Sequence, residues 1–335
     1  MHPSVQGIVT IVVGITTCVT YFYVSNWVLD HVLFPAKGPK TGRNINRANM
    51  VRPWLFLAPA LAALGLYLAY PIVETLYLSL TERLPGNEYR WAGLDNYRQM
   101  LDDPKFSEAL VNNLLWLLVV PAFSTAFGLL AAQLTDRIGW GNIAKSIIFM
   151  PMAISFVGAS VIWKLVYDAK PAGEAQIGVL NALYVGITHN DPQTWLTIMP
   201  WNSFLLMVVL IWIQTGFAMV ILSAALRGIP EETIEAAVVD GANPFQIFFK
   251  IKVPQIIPTI LVVWTTITVT VLKVFDIVFA MTNGQWETQV LANYMFDKLF
   301  RANDWGVGSA AAMVIMLLVT PILFLNIRNA RREID

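Results

Sequence analysis

"EETIEAAVVDGANPFQIFFKIKVP", Glu231 to Pro254, separates two long apolar runs of the chain. Its residues spell two short helices joined by a turn. Pro230 suits the first helical position, where a missing N–H costs nothing. Glu231 and Glu232 fall in the first turn, where the helix dipole favours negative charge. The helix can run to Asp240, with Gly241 supplying a left-handed stop. Asn243 can cap a second helix with Pro244 at its first position. Lys250 and Lys252 then lie in the last turn, where the dipole favours cations, and Pro254 follows. Phe245, Phe248 and Phe249 share one face of that helix, and Ile247 and Ile251 widen it. Ala236 and Ala237 on the first helix are small enough to admit another backbone. Such a surface suits either a protein groove or the plane of a membrane.

The flanking runs set the class. Of 335 residues, 56% are hydrophobic and only 13% are charged, too little charge for the surface of a soluble protein. Seven stretches carry no Asp, Glu, Lys or Arg: 3–29, 54–73, 109–135, 146–163, 192–226, 253–272 and 305–327. Each is close to the roughly 20 helical residues that cross a hydrocarbon core. The sequence therefore predicts an all-α polytopic membrane protein with seven spans and a helix–turn–helix between the fifth and sixth. Zero net charge argues against a nucleic-acid partner. The single cysteine, Cys18, leaves no disulfide framework and no cysteine metal site. His2, His31 and His189 are scattered near segment ends and read as interfacial polar residues; no metal site is expected. The first Lys or Arg is Lys37, after the first apolar run, so that run reads as a membrane helix and not as a cleaved leader with a basic start.

Basic residues orient the spans. The link at 35–53 carries Lys37, Lys40, Arg43, Arg47 and Arg52 without an acidic residue, and the tail carries Arg328, Arg331 and Arg332. The positive-inside rule makes both cytoplasmic. An odd number of spans then places the N-terminus outside and the C-terminus inside. The links at 135–145 and 228–255 fall inside; those at 81–108, 169–200 and 283–304 fall outside. In the first outer link, Asp103 and Pro104 are suited to starting a helix. Pro59, Pro71, Pro121, Pro151 and Pro321 lie within spans, where each tends to kink the helix.

Lys273 and Asp276 stand three residues apart in the sixth span. Charges in a span usually face a protein interior or a cavity, and that spacing can pair them on one helical face. Thr266 and Thr270 extend the face into a polar stripe, so the pair is either a structural ion pair or part of a solute passage.

"EAAVVDGANPFQIFFKIKVP" resembles the EAA signature of ABC-importer permeases, with Glu235, Ala236, Ala237, Gly241, Ile251 and Pro254 matching in order. The resemblance implies that 230–254 is the coupling loop, docking in a groove of a cytoplasmic ATPase through Glu235, Ala236, Ala237, Gly241, Phe245, Phe248 and Phe249. The matched glutamate, Glu235, would pair with a basic residue of that groove. "WAGLDNYRQMLDDPKFSEALVNNLLW" (91–116) and "VFDIVFAMTNG" (274–284) resemble the sugar-importer branch, of the maltose and glycerol-phosphate type. "TCVTYFYVSNWVLD" (17–30) is similar to alpha-glucoside permeases. The resemblance divides the chain into an N-terminal helix with its basic link, 1–53, and an importer transmembrane domain, 54–335. It implies a second permease subunit, two copies of an ABC ATPase that bind the ATP and magnesium, a periplasmic sugar-binding protein and surrounding membrane lipid. This chain itself would need no cofactor and carry no catalytic residue.

Laid on the maltose-type pattern, sugar contacts fall at Gln214, Thr215 and Phe217 on the fifth span and at Thr266, Thr270 and Lys273 on the sixth. The pattern departs at Ile267, Val271 and Val274, apolar where that type has polar residues, and at "QWE" (285–287), where further Gly and Pro are usual. "GPKTG" (38–42) lacks the first glycine of a phosphate-binding loop. No HExxH or GxSxG occurs. The rival reading is an ion-coupled secondary transporter, which needs a midplane carboxylate; Asp276 is the one candidate, and it has a lysine nearby. A reporter fused after Met1 is expected to read as external and one after Asp335 as cytoplasmic. Both on one side would mean an even number of spans.

Overall fold

The computed structural model describes residues 3–37, 41–84, 86 and 88–332; the side chains of 3, 4, 322, 323 and 325–332 lie outside that description. His2, Lys40, both chain ends and the side chains of Arg328, Arg331 and Arg332 are thus not among the described residues. The chain forms two compact units, Met1–Glu74 and Thr75–Asp335.

In the first unit, α1 (Pro3–Val28) continues through a wider turn, Leu29–Leu33, and α2 (Thr41–Ser79) follows, its last residues belonging to the second unit. The two are tied by side chains near the basic link. Arg52 Nη2 donates to Asp30 Oδ1 at 2.6 Å, and the Tyr21 hydroxyl donates to the Leu55 carbonyl at 3.0 Å. The Phe22 and Phe56 rings stack at 5.2 Å. The remaining apolar side chains of α1 are mostly exposed, as on a helix whose solvent is lipid. Pro53 and Pro59 lie inside α2, and a wider turn spans Gly65–Ala69 before Pro71, an irregularity of the kind prolines impose.

The second unit opens with a small antiparallel hairpin, β1 (Thr81–Arg83) and β2 (Tyr89–Trp91). The spacing rules for helices gave no sign of it. α3 (Asp95–Asp102) and α4 (Pro104–Thr135) come next, with Asp103 as the expected cap: its Oδ1 accepts from the Lys105 backbone at 2.9 Å. α5 (Gly141–Phe149) and α6 (Phe156–Val166) meet at a 105° bend, as a broken span or a re-entrant loop does. α7 (Val179–Thr188) lies in a link, and α8 (Trp201–Arg227) is the most buried of the four long apolar helices. After α9 (Glu231–Val239), α10 (Pro244–Gln255) meets α11 (Ile257–Leu272) at a 70° bend. α12 (Asp276–Met281), α13 (Leu291–Phe296) and α14 (Trp305–Arg332) complete the chain. Four helices are long and apolar enough to span, or six if each bent pair is one span, and α14, 28 residues long, coincides with the last apolar stretch. The seven expected stretches are all helical, two of them broken, and four to six of them qualify as spans by length and composition.

α8 is the axis of this unit: α4, α5 and α11 all pack on it. Close approach depends on glycine. A Cβ at Gly128 of α4 would meet the Ala218 Cβ and stand 2.9 Å from the Met219 nitrogen on α8. A Cβ at Gly216 would stand 2.6 Å from the Ile148 carbonyl of α5. Small residues at helix crossings, worth their place through dispersion and not through the hydrophobic effect, are the usual device in lipid.

The links sort into two ends of α8. Near its C-terminus, Asp136 pairs with Lys145 and with Arg227 at 3.3 Å, while Ser223 Oγ donates to Asp136 at 3.1 Å. This joins the 135–145 link to the start of 228–255. Near its N-terminus, Asn202 donates to the Trp286 carbonyl at 2.6 Å. There too Asn112 donates to the carbonyls of Glu287 and Gln289 at 2.9 and 2.8 Å, and Lys298 pairs with Asp103 at 2.8 Å. Burial alone would raise the Asp103 carboxyl, but hydrogen bonds from Lys298, the Lys105 backbone and Tyr294 outweigh it and hold it below its usual range. The 135–145 and 228–255 links thus meet at one end of α8, and the 81–108 and 283–304 links at the other.

Gly128→Val should therefore separate α4 from α8. Overpacking of this kind costs about 1–3 kcal/mol, so the purified protein in detergent should unfold several degrees lower and accumulate less. An unchanged melting temperature would mean that this crossing is not close.

Candidate functional site

The 230–254 segment folds as its caps dictate. α9 ends at Asp240 in a left-handed cap: Gly241 has φ +80°, its N–H reaches the Val238 carbonyl at 3.0 Å, and the Ala242 N–H reaches Ala237 at 2.9 Å. A side chain would be strained at that φ. Asn243 and Gln246 form a reciprocal capping box, both bonds at 2.9 Å. These caps fix the angle between the helices without help from any partner.

The exposed surface is narrower than the sequence suggests. Phe245 and Phe249 are 77% and 61% exposed, and Glu235, Ala236 and Gly241 are exposed beside them. Phe248 is half-buried, its ring edge-on to Phe249 at 4.9 Å. Ile247, expected to widen the face, is 6% exposed, and Ala237 is buried too. At about 100° per residue Ile247 lies nearly opposite Phe245 and Phe249, so it turns inward as they turn out. Pro254 does not end the helix; it lies within α10, which bends only at Ile256, φ −101°.

The expected Lys273–Asp276 pairing does not form. α11 stops at Leu272, and Lys273 (φ −111°) with Phe275 (φ −137°) leaves the helical region before α12 begins at Asp276. Residues three apart share a face only while the helix continues. Among the described residues neither side chain makes an ion pair. Lys273 is exposed and Asp276 half-buried. The stripe is also less free than its composition implies, because each hydroxyl donates to its own helix. Thr266 Oγ1 donates to Val262 at 2.8 Å and Thr270 Oγ1 to Thr266 at 3.2 Å. Thr215 Oγ1 donates to Ile211 at 2.7 Å and faces a 710 Å³ cavity of mainly apolar walls. Phe217 packs, partly buried, against the core.

Of the six expected passage residues, only Gln214 opens into a 430 Å³ cavity together with Asp276. That cavity also takes in Ser155 and Phe156 at the α5–α6 break. The sequence signalled its members as polar residues within long apolar runs, but not their meeting.

The architecture can now be set beside known proteins. A model for the inner membrane component of binding-protein-dependent transport systems matches residues 114–332. The alpha-glucoside transport system permease protein AglF of Rhizobium meliloti (strain 1021) is 62% identical over 99% of both chains. The osmoprotective compounds uptake permease protein GgtC of Synechocystis sp. is 47% identical over 83% of this chain and 99% of its own. Among solved structures, a bacterial ABC transporter involved in the import of the acidic polysaccharide alginate superposes with a TM-score of 0.72. That likeness covers 86% of this chain and 98% of the other at 22% identity, and it speaks for the fold. The chain belongs to the family of binding-protein-dependent transport system inner membrane components. It is an ABC-importer permease subunit, and hydrolysis of ATP belongs to a separate ATPase.

Because Lys273 makes no ion pair, Lys273→Met should leave the amount of folded protein and its melting temperature unchanged. A marked loss of either would restore the structural pair.

Proposed function

We propose that this chain carries a neutral carbohydrate, an alpha-glucoside or another oligosaccharide, through the membrane as one of two permease subunits of an ATP-driven importer. The observation that carries the reading is the extent of the match to a relative named for alpha-glucoside transport, 62% identity along 99% of the chain. The second permease, two copies of the cytoplasmic ATPase and a periplasmic binding protein complete the assembly. The N-terminus lies outside and the C-terminus inside, which puts the 230–254 helices in the cytoplasm and the hairpin of the 81–108 link outside.

In this arrangement Glu235, Phe245 and Phe249 enter a groove of the ATPase, the rings filling it and the carboxylate meeting a cation. Ile247 and Ala237 hold the two helices to the permease side. ATP-driven closure of the ATPases moves α9 and α10 together, since both ends of the turn between them are capped. The movement reaches α8 directly through Arg227 and reaches α11 through the bend at Ile256. The spans then turn from inward-open to outward-open, and the binding protein delivers sugar to the outer links.

Glu235→Ala removes a charged hydrogen bond of about 1.5–3 kcal/mol, so docking should weaken about tenfold or more. Gly241→Pro should disrupt the cap itself. Both variants should insert normally, while substrate-stimulated ATPase activity of the reconstituted complex falls. Stimulation at the wild-type level in both would remove the coupling role from this loop.

A further inference from the structure

A 620 Å³ cavity lies where the β1–β2 hairpin and α3 meet the start of α14, and it shares no lining residue with the cavity beside Gln214. Its size falls within the range of small-molecule sites. A close approach of backbone to an amide forms its floor. Asn96, 7% exposed, donates from Nδ2 to the Ser79 and Thr81 carbonyls, both at 2.9 Å. A Cβ at Gly306 would stand 2.5 Å from the Asn96 Oδ1, so only glycine fits there. The rim is fixed as well. Arg83 lies over the Trp305 ring at 5.5 Å, and Trp305 Nε1 donates to Asn303 Oδ1 at 2.9 Å. Asp304 Oδ1 accepts from the Val307 N–H at 3.0 Å, and Glu82 pairs with Arg90 across the hairpin. The cavity is thus framed by bonded groups and is not a gap between loose loops.

What the frame leaves available is polar, with one large ring. Trp91 lines the cavity and is 66% exposed. Among the described residues neither its indole N–H nor the Gln99 amide has a hydrogen-bond partner, and the second Asp304 oxygen is open too. The carboxylates of Glu82, Asp95 and Asp304 stand beside the guanidiniums of Arg83 and Arg90, a near balance that favours neither an anion nor a cation. Among the described residues no acidic group is arranged to hold a metal ion. A protein partner is anchored at an apolar centre, and these walls are mostly polar. A saccharide answers both features. Its hydroxyls donate and accept, as a carboxylate and an amide require, and the apolar face of a pyranose covers an indole.

We propose that this cavity is a saccharide site separate from the passage, in which the Trp91 ring covers one face of a sugar unit and Gln99 and Asp304 bond its hydroxyls. Neither α8 nor α11, the helices that flank the 230–254 loop, contributes a residue to it. The proposal rests on the carbohydrate reading above. With the 81–108 link outside, as in that reading, the site holds sugar at the outer face of the membrane before it enters the spans.

The test is fluorine NMR of the complete permease–ATPase complex in lipid nanodiscs, with fluorotryptophan in place of tryptophan. The Trp91 signal is assigned by its absence from Trp91→Phe. Maltose, trehalose and sucrose are added in turn without binding protein, and their transport by the same complex is measured in proteoliposomes with binding protein. A sugar that the complex carries should shift the Trp91 signal saturably. Gln99→Ala should weaken that sugar about threefold to tenfold and leave the sugar-free spectrum unchanged. A Trp91 signal that no transported sugar shifts would overturn the site and leave the carbohydrate reading intact. So would a shift that Gln99→Ala does not weaken. A shift that appears only when the binding protein is added would make the cavity a protein contact and overturn the site as well. If the complex carries none of the three sugars, the carbohydrate reading fails and the site with it.

Discussion

A peptide group in hydrocarbon finds nothing but other peptide groups to bond with. Every interruption of a spanning helix must therefore be sheltered by protein, and in this chain the shelter is α8. It runs unbroken from Trp201 to Arg227, and glycines at 128 and 216 mark where α4 and α5 approach it. With that support in place, two neighbouring spans can leave the helical path, at Ser155 and at Lys273, without exposing their backbones to lipid. The interruptions bring polar side chains to the interior of the unit. Without a close-packed α8 neither break would be tolerable, and no cavity would open beside Gln214 and Asp276.

The same continuity joins the 230–254 loop to the cavity at the α11–α12 break. From Glu235 the chain passes through a capped turn, a helix, a bend at Ile256, the span α11 and a second break before reaching Asp276. The exposed surface of 230–254 and the 430 Å³ cavity are thus two stations on one stretch of polypeptide. Gln214, on α8, stands on the other stretch that leads into the loop. Any displacement of the loop acts on both walls of the cavity at once.

Much of this was legible in the residues, where the physical rule is local. The caps at Asp103, Gly241 and Asn243 depend on neighbours within three or four positions, and all three form as the sequence predicts. The apolar stretches depend only on length and composition. The rules failed where tertiary packing overrides them. Nothing near Lys273 resembles a helix breaker, so period-based reasoning carried the helix through to Asp276 and paired two groups that the break separates. Ile247 was counted with the exposed face, although regular helical spacing puts it nearly opposite Phe245 and Phe249, so its inward position was there to be read. The β1–β2 hairpin was missed because three-residue strands are too short for alternation to show. For the cavity, each polar residue was visible in the sequence, but their meeting depends on two bends.

The caps at either side of Gly241 have a mechanical meaning as well as a thermodynamic one. A capped helix–turn–helix is a stiff handle, whereas the bend at Ile256 carries only Ile256 between two helical rods, which makes it the compliant joint. A stiff handle on a jointed shaft transmits angle more than distance. With 16 residues in α11 and a rise of about 1.5 Å per residue, the shaft is roughly 24 Å long, and a tilt of about 5° at the joint moves its far end by about 2 Å. That stroke is most of a hydrogen bond's length, enough to reshape the α11–α12 break while the handle itself scarcely changes shape.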